Sequence, residues 1–175
     1  MKKIILTIAA SALLAVASYG QSKFAYVDTD YILANIPEYK SAQADLDKLS
    51  VQWQKEIEAK YTVIDKLYKS FQAEQILLTD EMRKKKENEI IEKEKDAKDL
   101  QKQKFGVDGE LFKKRQELVK PIQDKVYNAV KAIAEKGSYA AIFDKSSDLT
   151  MLYTNPKYDK SDEVLTSMGY KAGAK

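Results

Sequence analysis

The sequence predicts a mainly α-helical chain with a small β body: a long antiparallel helical hairpin, coiled-coil-like, projects from a small sheet that oligomerises. Three observations predict it. No Gly or Pro interrupts residues 38–78. Within that stretch apolar residues recur at Leu46, Leu49, Trp53, Ile57, Tyr61, Ile64, Tyr68 and Phe71, seven steps over 25 residues with a mean of 3.57. That spacing lies between the coiled-coil and straight-helix periods, so one face of a long helix is apolar. Finally, short apolar runs rich in β-formers stand at both ends of the helical stretch, at Phe24–Val27 and again after Gly137.

The first twenty residues stand apart from the fold. Lys2 and Lys3 precede an apolar stretch, Ile4 to Ala17, broken only by Thr7 and Ser11, and Ser18-Tyr19-Gly20 places small residues before Gln21. This is the pattern of a cleaved signal peptide over residues 1–20, too short for a comfortable membrane span. Phe24-Ala25-Tyr26-Val27-Asp28 then reads as a strand buried on both sides. A brief helical turn carrying Tyr31, Ile32 and Ile36 leads to Pro37, which suits the first turn of a helix because its missing N–H would be unpaired there. At roughly 1.5 Å per residue, forty helical residues extend about 60 Å.

Thr79 is a suitable N-cap, and Asp80 with Glu81 places acids in a first turn, so the chain reverses near residues 78–81. Residues 80–104 carry 17 charges, nine basic and eight acidic. That is too polar for a globular core helix and fits a solvated one supported by pairs such as Glu89–Lys93 and Glu94–Lys98. Helix is expected to continue through Gly106 and Gly109, with apolar periodicity returning at Val107, Leu111, Leu118, Ile122, Val126, Val130 and Ile133. Pro121 kinks this helix or starts a new segment. Lys136-Gly137 ends it, the glycine able to take a left-handed cap. Tyr139–Phe143 and Leu149–Tyr153 read as a β-hairpin, Asn155-Pro156 ends the second strand, and Ser161 caps a short terminal helix. The expected division is 21–37 with 121–175 as the β-containing oligomerisation body, and 38–120 as the arm.

Composition narrows the function. The chain has 30 basic and 27 acidic residues; without Lys2 and Lys3 the balance is 28 to 27, which argues against a nucleic-acid binder. Cys and His are both absent. A disulfide framework is therefore excluded, and so are imidazole acid–base pairs and His-ligated metal sites. No phosphate loop, nucleophile elbow or metal-ligand cluster appears, so neither enzyme nor cofactor is expected. Asp28 and Asp30 read as turn and capping residues. A three-stranded sheet of this size barely covers its faces. Phe24, Tyr26, Ile142, Phe143, Leu152 and Tyr153 are accordingly expected at a body shared between copies of the chain.

The segments Lys23-Phe24-Ala25-Tyr26-Val27-Asp28, Ile36-Pro37-Glu38-Tyr39 and Leu152-Tyr153…Asp159-Lys160-Ser161-Asp162-Glu163-Val164-Leu165 resemble, in order, the Skp/OmpH family of outer-membrane-protein chaperones. Lys160-Ser161 departs from the apolar-polar pair more usual there. The resemblance implies a periplasmic homotrimer whose arms enclose unfolded outer-membrane proteins without ATP. Trp53, Ile57, Tyr61, Tyr68 and Phe71 are then the client-facing candidates on the arm. Gly106 and Gly109 are a hinge or simply make room for Trp53. Arg83, Lys84, Lys85 and Lys86 either open a solvated helix, neutralised by Glu87, Glu89 and Glu92, or form a basic tip facing lipid headgroups. The rival reading is a structural coiled-coil adaptor or spacer of the cell envelope.

Overall fold

The computed structural model describes residues 22–147 and 151–173; the expected signal peptide lies outside them. The elements in order are β1 (Lys23–Val27), α1 (Thr29–Ala34), α2 (Pro37–Glu74), α3 (Asp80–Phe105), α4 (Glu110–Gly137), β2 (Tyr139–Asp144), a 3-10 turn (Pro156–Tyr158) and α5 (Ser161–Ser167). The chain divides into two compact units, residues 37–124 and the two flanking stretches together.

The first unit is an antiparallel helical hairpin. Pro37 is the first residue of α2, the position where a missing N–H costs nothing. At the far end the Thr79 side chain accepts a hydrogen bond from the Met82 amide and caps α3, whose first turn carries Asp80 and Glu81. α2 ends at Glu74 rather than at residue 78, and 75–78 form the turn. Four pairs record the register across it: Trp53 with Phe105, Tyr68 with Glu94, Glu74 with Lys86, and Gln75 with Arg83. The midpoints of these pairs fall at residues 79, 81, 80 and 79, so the two helices stay in step over their whole contact. Ala42, Leu46, Trp53, Ile57 and Ile64 are the buried residues of α2, and Ile90 and Ala97 those of α3.

Helix does not continue through the glycines. α3 stops at Gly106, whose ψ of 170° turns the chain out of the helix, and α4 starts at Glu110. A side chain at either position would meet backbone: a Cβ on Gly106 collides with the Lys102 carbonyl. One on Gly109 comes within 2.8–2.9 Å of Gly106 N, Gly106 O and Lys104 O. These glycines therefore serve a tight break, and the expectation of an uninterrupted helix fails because close backbone approach outweighs helix propensity. Farther on, α4 runs unbroken past Pro121.

The second unit holds a two-stranded parallel sheet. β1 pairs with β2 from Phe24↔Ala141 to Val27↔Asp144, with one irregularity at its start where Lys23 faces Tyr139. Asp144 ends the pairing by turning back on α1: its carboxylate accepts from the Thr29 amide and hydroxyl and from Ser146. Burial works against ionisation of Asp144, but these hydrogen bonds outweigh it and hold the carboxyl below its usual range. Buried beneath the sheet and helices are Ala25, Tyr26, Val27, Ile32, Leu33, Ile36, Val164 and Leu165. Asp28 caps α1 by accepting from the Tyr31 amide, the capping role read from sequence.

Three local expectations are corrected. The hairpin of Tyr139–Phe143 with Leu149–Tyr153 does not form: residues 151–153 are not strand, and Leu149 lies outside the described residues. The free edge of β1 is taken instead by the chain around Asp159, through a Tyr26↔Asp159 bridge and the Lys160 amide donating to the Tyr26 carbonyl. At the end of α4 the left-handed residue is Ser138 (φ 52°), not Gly137. Gly137 is instead needed for space, since a Cβ there would strike the Tyr139 ring. Ser161 does not cap α5 either. It is the first helical residue, fully buried, accepting from the Asp28 amide and donating to Asp159.

Candidate interaction surfaces

The aromatic stripe of α2 divides into two sets. Trp53 and Ile57 are buried. The Trp53 indole meets Phe105 edge-on at 6.2 Å, and the Lys104 ammonium lies 4.8 Å from its ring centroid. Their place among client-facing candidates is therefore corrected: both seal the hairpin seam. Tyr61 and Tyr68, one heptad apart, stay exposed on a flank of that seam, and Phe71 is half-buried. Glu94 accepts a hydrogen bond from the Tyr68 hydroxyl at 2.9 Å and keeps that phenol above its usual range. Val51, Val63, Ile91 and Phe112 are also exposed on the hairpin. Singly placed among charges, these side chains form scattered apolar contacts rather than one patch.

At the tip, Ile76 and Leu77 are 88% and 85% exposed, and Met82 is exposed beside them. Nothing in the periodicity singled them out, because they follow the last apolar position of the stripe. Arg83 and Lys86 are partly spent on the turn itself. Arg83 donates to the Gln75 carbonyl, and Lys86 pairs with Glu74 at 2.5 Å, which holds that carboxyl below its usual range. Lys84 and Lys85 remain exposed. The basic run is thus half structural and half free.

In the sheet unit the expected shared-body residues fare differently from one another. Tyr26 is buried within the chain, and Ile142 is half-buried. Phe24 and Phe143 stack at 6.1 Å with an interplanar angle of 30° on the exposed side of the sheet. Leu152 and Tyr153 are 96% and 81% exposed, with Tyr158 also uncovered. The Lys160 ammonium bonds Glu163 at 2.7 Å and lies 5.7 Å from the Tyr139 ring, and both partners raise its pKa. Among the described residues no group of three or more acidic, His or Cys side chains is placed to hold a metal. None of the helices there is long and apolar enough to cross a membrane.

Residues 23–168 match the family described as Outer membrane protein (OmpH-like). The chain belongs to the OmpH-like family. This OmpH-like chain is 32% identical over 145 residues to an uncharacterized protein of Aquifex aeolicus (strain VF5), covering 83% of this chain and 85% of that one. Its fold is similar to the crystal structure of a candidate outer membrane chaperone (OmpH-like) from Caulobacter crescentus CB15. The TM-score is 0.65 at 13% identity, over 85% of each chain. A mainly helical OmpH-like fold with long helices and a small two-stranded sheet is thus common to both. At that identity the likeness carries the fold alone.

Proposed function

We propose that this OmpH-like chain is an exported, ATP-independent holdase that binds unfolded outer-membrane proteins in the periplasm as a homotrimer. The observation that carries the reading is the hairpin surface. Its seam is closed by Trp53, Ile57 and Ile64, while Val51, Tyr61, Val63, Tyr68 and Ile91 stand exposed among charges. Scattered apolar side chains on a charged helix give weak, repeated contacts to an extended apolar client. The charges meanwhile keep the helices themselves in solution. Such contacts release without nucleotide hydrolysis, which suits a chain with no phosphate-binding motif. Membership of the OmpH-like family supports a chaperone role for the chain. Assembly would cover Phe24, Phe143, Leu152 and Tyr153, since monomers rarely leave such residues bare together.

The test dilutes a urea-unfolded β-barrel protein into buffer and follows light scattering. Stoichiometric trimer is expected to suppress the scattering. Full aggregation in its presence would favour a structural adaptor of the cell envelope. The tip adds an accessory contact: Ile76 and Leu77 beside Lys84 and Lys85 are the pairing that an anionic headgroup layer accepts. Replacing both lysines by glutamate is expected to lower cosedimentation with anionic vesicles and leave neutral vesicles unchanged.

A further inference from the structure

We propose that the interruption between α3 and α4 is a latched joint, held shut by Lys104 and Glu110 against Trp53. The two sides of the hairpin differ in build. α2 runs 38 residues without a break, whereas the returning chain is cut at residues 106–109. The break has a closed backbone: the Gly106 amide donates to Lys102 O at 2.8 Å, and the Gly109 amide to Gly106 O at 2.9 Å. Its own side chains add no anchor, since Val107 and Asp108 are both exposed, Val107 almost wholly.

Two side chains at the end of α3 tie it to the start of α4, and one of them, the Lys104 ammonium, also reaches α2. Lys104, in the last turn of α3, lies over the Trp53 indole and reaches Glu110 Oε2 at 2.6 Å. Glu110 is the first residue of α4, and its other oxygen accepts from Gln103 Nε2 at 2.9 Å. Phe105 meets the same indole edge-on. The Lys104 side chain is only 15% exposed, so salt screens its attractions less than those of the surface pairs. Three helices therefore meet on a single cation, at the break in the returning side of the hairpin. Breaking that contact frees α4 from α3 without touching the seam elsewhere. The hairpin yields there and nowhere else along α3.

Trp53 is the only Trp of the chain, so its emission reports the latch directly. The experiment compares the full chain with Glu110→Gln, Lys104→Met and the double variant by amide hydrogen exchange and fluorescence. Each single change is expected to speed exchange at residues 104–112 by about tenfold. The Trp53 emission should alter in Lys104→Met, while exchange across residues 80–100 stays as it was. The double variant is expected to exchange no faster than the worse single one, because both remove one shared contact. Unchanged exchange at 104–112 in both single variants would overturn the latch. Uniformly faster exchange over the whole hairpin would overturn it too, since the contact would then belong to the general core. If exchange at 106–109 in the unaltered chain already matches that at the tip turn, 75–78, the joint is open from the start and the proposal falls.

Discussion

The helical hairpin closes a continuous seam of its own and leaves its remaining apolar side chains scattered among charges; the sheet unit leaves a stacked aromatic pair bare. Along the hairpin, Trp53, Ile57 and Ile64 of α2 and Ile90 and Ala97 of α3 are all buried within one chain. What stays exposed is mostly charge. In the sheet unit Phe24, Phe143, Leu152, Tyr153 and Tyr158 are left at the surface although the unit has a well-filled interior at Ile32, Ile36, Val164 and Leu165. The difference follows from geometry. The returning helix runs in register with α2, so Trp53 meets Phe105 at the same height, and Ile90 and Ala97 are buried along with the α2 stripe. Two short strands have too little area to cover both of their own faces. One unit therefore closes its own seam, while the other leaves Phe24 and Phe143 stacked at its surface.

Each unit can be perturbed by a single substitution. The largest effect is expected from Trp53→Ala, which removes the largest side chain buried in the seam and should cost about 3–5 kcal/mol. In urea denaturation followed by circular dichroism, that loss is expected to be independent of protein concentration. A loss that vanished on concentrating the protein would place Trp53 in an intermolecular contact and reverse the distinction. Next in size is Phe143→Asp, which sets a carboxylate on the exposed side of the sheet beside Phe24. Association should weaken by about 2–4 kcal/mol, the scale of an interface anchor. Sedimentation equilibrium reads this as a shift to monomer; an unchanged oligomer would show that the stacked pair lies outside the assembly.

The smallest effect sharpens the sheet unit alone. Asp144 is held below the usual carboxylate pKa, so it contributes stability that is present above its unfolded value, near 3.8, and lost as pH falls through the lower folded value. Asp144→Asn keeps a hydrogen-bonding side chain but removes the charge, and is expected to destabilise by about 1 kcal/mol at neutral pH. The gap between the two proteins should close below pH 4, as measured by thermal melts across pH. A gap that persists in acid would assign the effect to geometry rather than to charge.

The hairpin is readable from residues alone because its determinants are local. A repeat of apolar residues announces a helix face, and Thr79 followed by two acids announces the next helix start. Reading a seam from the same stripe is harder. Trp53 and Ile57 share their periodicity with Tyr61 and Tyr68, and only the position of α3 separates the sealed residues from the exposed ones. Strand pairing is legible in part. Phe24–Val27 and Tyr139–Phe143 are strands, but which edge each one offers depends on chain more than a hundred residues away. The apolar run at Leu152-Tyr153 signals a need for cover without saying who provides it. Asp159, a polar residue in a turn, gives no hint that it bridges to Tyr26. The glycines mislead through their neighbours: strong helix formers on both sides hide a break that only backbone proximity explains.

The shared midpoint of the four pairs around Thr79 has a consequence for how such a chain can change in length. Each residue on the outward helix is matched to one on the return, as rungs are matched on a ladder with a single fold at the top. Removing two turns from α2 alone, between Trp53 and the tip, would slide Trp53 to the height of Lys98 and set Leu46 opposite Phe105. Removing equal lengths from both sides, nearest the tip, would shorten the ladder and keep every lower rung in place. Insertions and deletions in this chain are therefore expected to be tolerated only in balanced couples, and the reach of the hairpin to vary among relatives by whole matched steps.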